Sequence, residues 1–146
     1  MKYYSYEEFV SDTNKLIKKI DTYKPDLLVG IARGGLSLTH ALSEALEIRD
    51  VKTISTKLYD DTKKRKEITI SGDLDCQGYK KVLVVDDISD SGDTLKCVMD
   101  AFRDKNSDIE FRAVTLFYKK TSIYEPHFWI NEAQEWIEFF WEKDFS

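Results

Sequence analysis

Twice along this chain a short apolar run breaks into a loop of small and charged residues and then into apolar positions at helical spacing. The first unit is DLLVGI (26–31), then Ala32, Arg33, Gly34 and Gly35, then Leu36, Leu38, Leu42, Ala45 and Leu46. The second is KVLVV (81–85), the polar loop DDISDSGD (86–93), then Leu95, Val98, Met99 and Phe102. A continuous run of Val, Ile and Leu suits a strand buried on both faces, and a period near 3.6 suits a helix laid across it. Strands alternating with helices imply an α/β fold with a mostly parallel central sheet, whose ligands gather beyond the carboxyl ends of the strands. Both loops are then expected at the same edge of one sheet.

The remaining segments fit around that frame. Ser5 and Glu8 have capping-box spacing, and Phe9, Thr13, Leu16, Ile17 and Ile20 follow as one helix face ending before Pro25. Residues 51–59 and 111–118 read as further strands, and 60–67 (DDTKKRKE) as a mobile, solvated loop. From Ile123 onward the chain is aromatic, with Phe128, Trp129, Trp136, Phe139, Phe140 and Trp141. At 146 residues the chain corresponds to a single domain, and 42% hydrophobic residues exclude a disordered one.

A net charge of −5 gives no global support for binding nucleic acid or anionic lipid, so any bound anion must be held by local groups. No apolar run has membrane-helix length and the first residues do not read as a signal peptide, so a cytoplasmic protein is expected. Cys76 and Cys97, like His40 and His127, are too scattered for a disulfide framework or a zinc site.

The chemistry concentrates in the two loops. Around Ser91, Gly92, Asp93 and Thr94, small residues let backbone N–H groups converge at a helix start, which makes a cradle of monophosphate size. Asp86 and Asp87, just upstream, are apt acceptors for vicinal hydroxyls and can act through Mg²⁺. A diol beside a phosphate describes ribose phosphate. A capped helix start alone would explain Ser91 or Asp93, but not the further carboxylates crowded before them. In the other loop Arg33 supplies a planar fork for phosphate and Gly34 and Gly35 permit close backbone approach, which makes a second anion site. Two anion sites flanking an acidic pair suit a sugar activated at both ends.

VLVVDDISDSGDT (82–94) resembles the phosphoribosyl-diphosphate signature of type I phosphoribosyltransferases, and GIARGGL (30–36) the pyrophosphate loop of their 6-oxopurine salvage branch. EWIEFFWE (135–142) is similar to the W-I-x-x-x-W stretch of bacterial xanthine-guanine and xanthine-guanine-hypoxanthine enzymes. The resemblance covers most of the chain. It implies the type I fold, with a flexible lid at about 60–67 and a small base-binding hood at about 123–146. It implies that Asp86 and Asp87 meet the ribose hydroxyls directly or through Mg²⁺, that Asp90 faces the purine N7 as acid/base, and that Ser91, Gly92, Asp93 and Thr94 wrap the 5′-phosphate. Ala32, Arg33 and Gly34 would hold pyrophosphate, behind a peptide bond that is often cis in the family, with Arg65 reaching over from the lid. Lys119 would donate to the purine 6-oxo group, with Lys120 beside it as an alternative, while Trp136 stacks on the base and Ile137 presents backbone groups to its 2-position. The implied partners are phosphoribosyl diphosphate, a purine base and further copies of the chain, as a homodimer or homotetramer.

This chain differs from many relatives in carrying Asp93 inside the phosphate loop, and Phe139-Phe140 where some have a proline before the tryptophan. Two other readings compete. LVVDD also opens response-regulator receiver domains, whose acidic pair binds Mg²⁺, but too few strand-helix units follow it here. The other is a non-catalytic nucleotide-sensing regulator on the same fold, and the presence of Asp90 and the aromatic tail weighs against it.

Overall fold

The computed structural model describes residues 1–61 and 65–146, and for 60, 61, 65 and 66 the backbone alone. The chain opens with a short strand that the sequence reading did not anticipate, β1 (Lys2–Tyr4), then α1 (Tyr6–Ile20). The α1 cap is reciprocal: Glu8 N–H donates to Ser5 Oγ (3.1 Å) and Ser5 N–H to Glu8 Oε2 (2.9 Å). Next come β2 (Leu27–Ala32), α2 (Leu36–Ala45), β3 (Val51–Asp61), β4 (Arg65–Ser71), β5 (Lys81–Val85), β6 (Ile88–Ser89) and α3 (Asp93–Lys105). The chain closes with β7 (Glu110–Val114), β8 (Phe117–Tyr118), β9 (Asn131–Glu132), β10 (Ile137–Phe139) and α4 (Phe140–Lys143).

The central sheet has the order β4-β3-β2-β5-β7, parallel throughout except for the antiparallel β3–β4 pair. Its strands alternate between two cores. Leu28, Leu83 and Val85 face α1 and α2 with Leu16, Ile20, Leu38 and Leu42, whereas Leu27, Val29, Val82 and Val84 face α3 with Leu95, Val98, Met99 and Phe102. Helices on both faces explain why these strands read as unbroken apolar runs.

Several expectations are corrected. The charged run 60–67 is largely strand: β3 extends to Asp61 and β4 begins at Arg65, paired Asp61 to Arg65 and Asp60 to Lys66. Residues 111–118 do not form one strand. Thr115 Oγ1 donates to Phe117 O (2.8 Å), and Leu116 and Phe117 N–H both donate to Asp87 O (3.0 and 3.2 Å), so the chain leaves the main sheet after Val114. Leu36 points outward, not into the core.

The hood is also not purely C-terminal. β1 pairs in parallel with β10, Lys2 opposite Ile137, and β6-β8-β9 form a third small sheet. Phe139 lies buried and stacked on Trp141 (centroids 4.6 Å apart), so the aromatic pair takes up the space at the end of β10.

Candidate active site

β2 is flanked by β3 on one side and β5 on the other, so the loops after β2 and β5 leave the sheet at its topological switch point. There they nearly touch. A Cβ on Gly34 would lie 2.8 Å from Asp87 Cγ, and one on Gly35 would lie 2.9 Å from Ile31 O and 3.0 Å from Asp86 Cα. The glycine pair is what lets an acidic loop and a cationic loop share one rim.

The second loop carries the residues expected to cradle a phosphate. Gly92 has φ 87°, and a Cβ there would sit 2.7 Å from Tyr124 N. Asp93 N–H donates to Ser91 Oγ (3.2 Å), and Ile123 N–H donates to Ser91 O (2.9 Å), tying the loop to the hood. A cavity of about 230 Å³ at the α3 N-terminus is lined by Asp86, Ile88, Asp90, Ser91, Gly92 and Thr94, among others. Asp93 does not line it. It lines the neighbouring depression with Lys96 and Cys97. An acidic side chain in the first turn of a helix is itself favourable.

Asp86 and Asp87 are locked into place by their own backbones: Asp87 N–H donates to Asp86 Oδ1 (2.9 Å) and Ile88 N–H to Asp87 Oδ1 (2.7 Å). Burial, followed by the neighbouring Asp87 charge, pushes the Asp86 carboxyl well above the usual carboxylate range. Burial pushes Asp87 up as well, against the hydrogen bonds it accepts. Such a pair suits a cation or a hydroxyl donor. Among the described residues no group of three or more His, Cys, Asp or Glu side chains could hold a metal ion. A Mg²⁺ at this pair would therefore complete its shell with substrate and water oxygens, its usual habit.

The first loop holds the cis peptide bond between Ala32 and Arg33. Arg33, Gly34, Ser37, Asp87, Trp141 and Glu142 line a larger cavity of about 700 Å³. Ala32 is half-buried behind it, and Arg65 lies outside the described side chains.

A third cavity, about 330 Å³, shares Asp87 and Glu142 with the Arg33 cavity and Ile88 and Asp90 with the one at the α3 N-terminus. It is lined by Asp87, Ile88, Asp90, Lys119, Trp136 and Ile137, with Gln134, Glu135, Phe139 and Glu142 at its margin. Lys119 Nζ lies 3.6 Å from Asp90 Oδ1, whereas Lys120 turns to Glu132 (3.5 Å) and does not line the cleft. Trp136 is 70% exposed, leaving a bare aromatic plane. The β1 ladder takes Trp136 C=O, which accepts from Lys2 N–H (2.8 Å), and so leaves Ile137 N–H and C=O on the opposite edge of β10.

Of the sequence-predicted residues, Arg33, Gly34, Asp86, Asp87, Asp90, Ser91, Gly92, Thr94, Lys119, Trp136 and Ile137 line these three cavities, whereas Ala32, Asp93 and Lys120 do not and Arg65 lies outside the described side chains. Ser37, Ile88 and Glu142 also line the cavities and were missed: Ile88 and Glu142 lie on elements of two and four residues, too short to show a period, and Ser37 is a single polar residue in the first turn of α2.

The phosphoribosyl transferase domain family matches residues 2–144. The chain belongs to that family. The receiver-domain alternative falls with this membership. The chain superposes on the solved structure of Helicobacter pylori xanthine-guanine-hypoxanthine phosphoribosyltransferase with a TM-score of 0.91, at 37% identity, over 99% of this chain and 95% of that one. It is 30% identical to the xanthine-guanine phosphoribosyltransferase of Idiomarina loihiensis over 94% of this chain and 84% of that protein. The Ruegeria sp. xanthine-guanine phosphoribosyltransferase is 34% identical over 64% of this chain, a match spanning 60% of the relative's length. Within the phosphoribosyl transferase family, then, this chain has a cleft divided into three parts that meet at Asp87, Ile88 and Asp90.

Proposed function

We propose that this chain is a purine salvage phosphoribosyltransferase, acting as one domain across 1–146. It transfers the 5-phosphoribosyl group from phosphoribosyl diphosphate to guanine, xanthine or hypoxanthine, releasing the nucleoside 5′-monophosphate and pyrophosphate. The observation that carries this reading is the three-way junction: Asp87 borders the Arg33 and Trp136 cavities, and Asp90 borders the phosphate and Trp136 cavities. One substrate lying across the rim has its reacting carbon near that junction.

Ser91, Gly92, Thr94 and the Asp93 N–H hold the 5′-phosphate at the α3 N-terminus, while Asp86 and Asp87 accept from the ribose hydroxyls. Ala32, Arg33 and Gly34 receive the pyrophosphate end, Arg33 through charge-assisted hydrogen bonds, with Arg65 approaching from the lid at 60–67. Asp86 and Asp87 would hold a Mg²⁺, which would supply positive charge to offset that growing on the departing pyrophosphate.

In the hood, at about 123–146, Trp136 stacks on the purine, Lys119 donates to its 6-oxo group and Ile137 meets its 2-position through the backbone. The purine N9–C1′ bond forms as the C1′–O bond to pyrophosphate breaks, and the N7 proton passes to the Asp90 carboxylate. Preorganised charge and positioning supply most of the acceleration. The reading includes a cytoplasmic homodimer or homotetramer; no helix among the described residues is long and apolar enough to cross a membrane.

A spectrophotometric assay of each natural purine base with phosphoribosyl diphosphate and Mg²⁺ tests the reading. Consumption of at least one 6-oxopurine is expected, and consumption of adenine alone would overturn the base assignment. No turnover of any base would favour the nucleotide-sensing alternative.

A further inference from the structure

The segment 133–137, which supplies Trp136 and Ile137 to the base cleft, is suspended between two short strands that belong to different sheets. On its entry side β9 pairs with β8, with Asn131 N–H donating to Leu116 O (2.9 Å) and Ala133 N–H to Tyr118 O (2.9 Å). On its exit side β10 pairs, among the described residues, with β1 alone. Ladders of two or three residues are too short to fix a geometry unaided.

One side chain reaches both. Asp12, on the inner face of α1 and 7% exposed, accepts at Oδ2 from Tyr4 OH (2.7 Å) and from Asn131 Nδ2 (2.8 Å). Tyr4 ends β1, is 1% exposed, and packs edge-on against Phe117 and Phe139. Asn131 begins β9, and its Nδ2 also donates to Leu116 O (3.3 Å). Lys15 lies 4.0 Å from the other Asp12 oxygen. Burying a carboxylate on a helix face is costly unless its acceptors are filled, and an aliphatic side chain would pack there more cheaply. None of the three cavities is lined by Asp12.

We propose that Asp12 is a positioning residue for base binding: by accepting from Tyr4 and Asn131 at once, it fixes β1 relative to β9 and so sets the span of 133–137. This rests on the phosphoribosyltransferase reading above. It puts the main effect on the base half of the site, because the loop after β2 hangs from the central sheet and the loop after β5, although joined to β8 through β6, does not pair with β1 or β10.

The test compares Tyr4→Phe, which keeps the ring and removes the hydroxyl, with Asn131→Ala and Asp12→Asn. Each folded variant is expected to raise KM for the purine about tenfold, the scale of one hydrogen bond to a charged group, with KM for phosphoribosyl diphosphate unchanged. Amide exchange at 133–139 is expected to quicken about tenfold while 91–94 stays as in the parent protein. A folded Tyr4→Phe variant with unchanged purine KM, or with both KM values rising together, would overturn the proposal. Should Asp12→Asn fail to fold, Tyr4→Phe decides. Should the parent protein turn over no purine, the functional reading fails on its own, and unchanged exchange at 133–139 would separately overturn the positioning role.

Discussion

The two loops proposed to meet the anionic ends of the sugar and the segment proposed to meet the base are built on opposite terms. The first two hang from adjacent strands buried along all but one residue each: Gly30 of β2 pairs with Val85 of β5, and the loops emerge side by side because those strands do. The base-facing segment hangs from strands of two and three residues whose partners come from the far N-terminus and from β8. The anion half of the site is local in sequence and rigidly supported, whereas the base half is non-local and depends on a few hydrogen bonds. Substitutions in the two halves should therefore fail differently.

Asp90 sits on the seam, lining cavities of both halves, and its replacement is expected to have the largest effect. Asp90→Asn should lower kcat by about 10²–10⁴, the range for a positioned acid/base. Its melting temperature should be unchanged, because Asp90 and its Lys119 partner are both exposed and such pairs add little to stability. Steady-state kinetics beside a thermal melt separates the two, and full turnover would remove Asp90 from the chemistry.

Gly35→Ala probes the rigid half. The new Cβ would meet backbone on all sides, so the two loops must separate, at a cost of about 1–3 kcal/mol in stability. KM for phosphoribosyl diphosphate should rise with little change in purine KM. Denaturant unfolding and paired KM measurements check this, and an undisturbed melt would mean that the loops can move apart freely.

Trp136→Ala probes the other half and should show the reverse pattern. With 70% of the side chain exposed, little packing is lost, but a stacking plane worth about 1–3 kcal/mol per base disappears. Purine KM should rise about tenfold at constant melting temperature. A fall in stability instead would make Trp136 a packing residue.

The same contrast explains what could be read from the residues. DLLVGI and KVLVV are legible as buried strands because burial on both faces demands unbroken apolar sequence, and the helices beside them show their period. The phosphate loop is legible because its chemistry needs contiguous residues. The β1–β10 and β8–β9 pairings were not, since three residues such as Lys2, Tyr3 and Tyr4 carry no period and owe their strand form to partners more than 130 positions away. Asp12 was invisible for a related reason: on an amphipathic helix a carboxylate reads as surface, and only the arrival of Tyr4 and Asn131 makes burial tolerable. The charged run misled in the other direction, because charge suggested a loop where residues 65–67 pair across to 59–61 and continue the hairpin.

The smallest expected effect concerns stability within the rigid half. In the protein without substrate or metal, the raised carboxyls of Asp86 and Asp87 are a liability at neutral pH. A carboxyl whose folded-state pKa lies above its unfolded value contributes stability that is fully present below the unfolded value, near 3.8, and lost as pH rises through the folded one. Asp86→Asn in a chelating buffer should therefore melt higher than the parent protein at pH 7–8, each kcal/mol being worth about 2–4 °C. The gap should close as pH falls toward 4. Glu8, held below its usual range first by the Lys2 hydrogen bond, runs the opposite way and loses its contribution as pH falls. Its shift is common to parent and variant, so it cancels in the difference. Adding Mg²⁺ with phosphoribosyl diphosphate should raise the parent's melting temperature and leave that of Asp86→Asn nearly where it was. An Asp86→Asn variant that melts lower at pH 8 would mean that the carboxyl pair stabilises the rim even when nothing is bound, and that the rigid half does not depend on its ligands for charge balance.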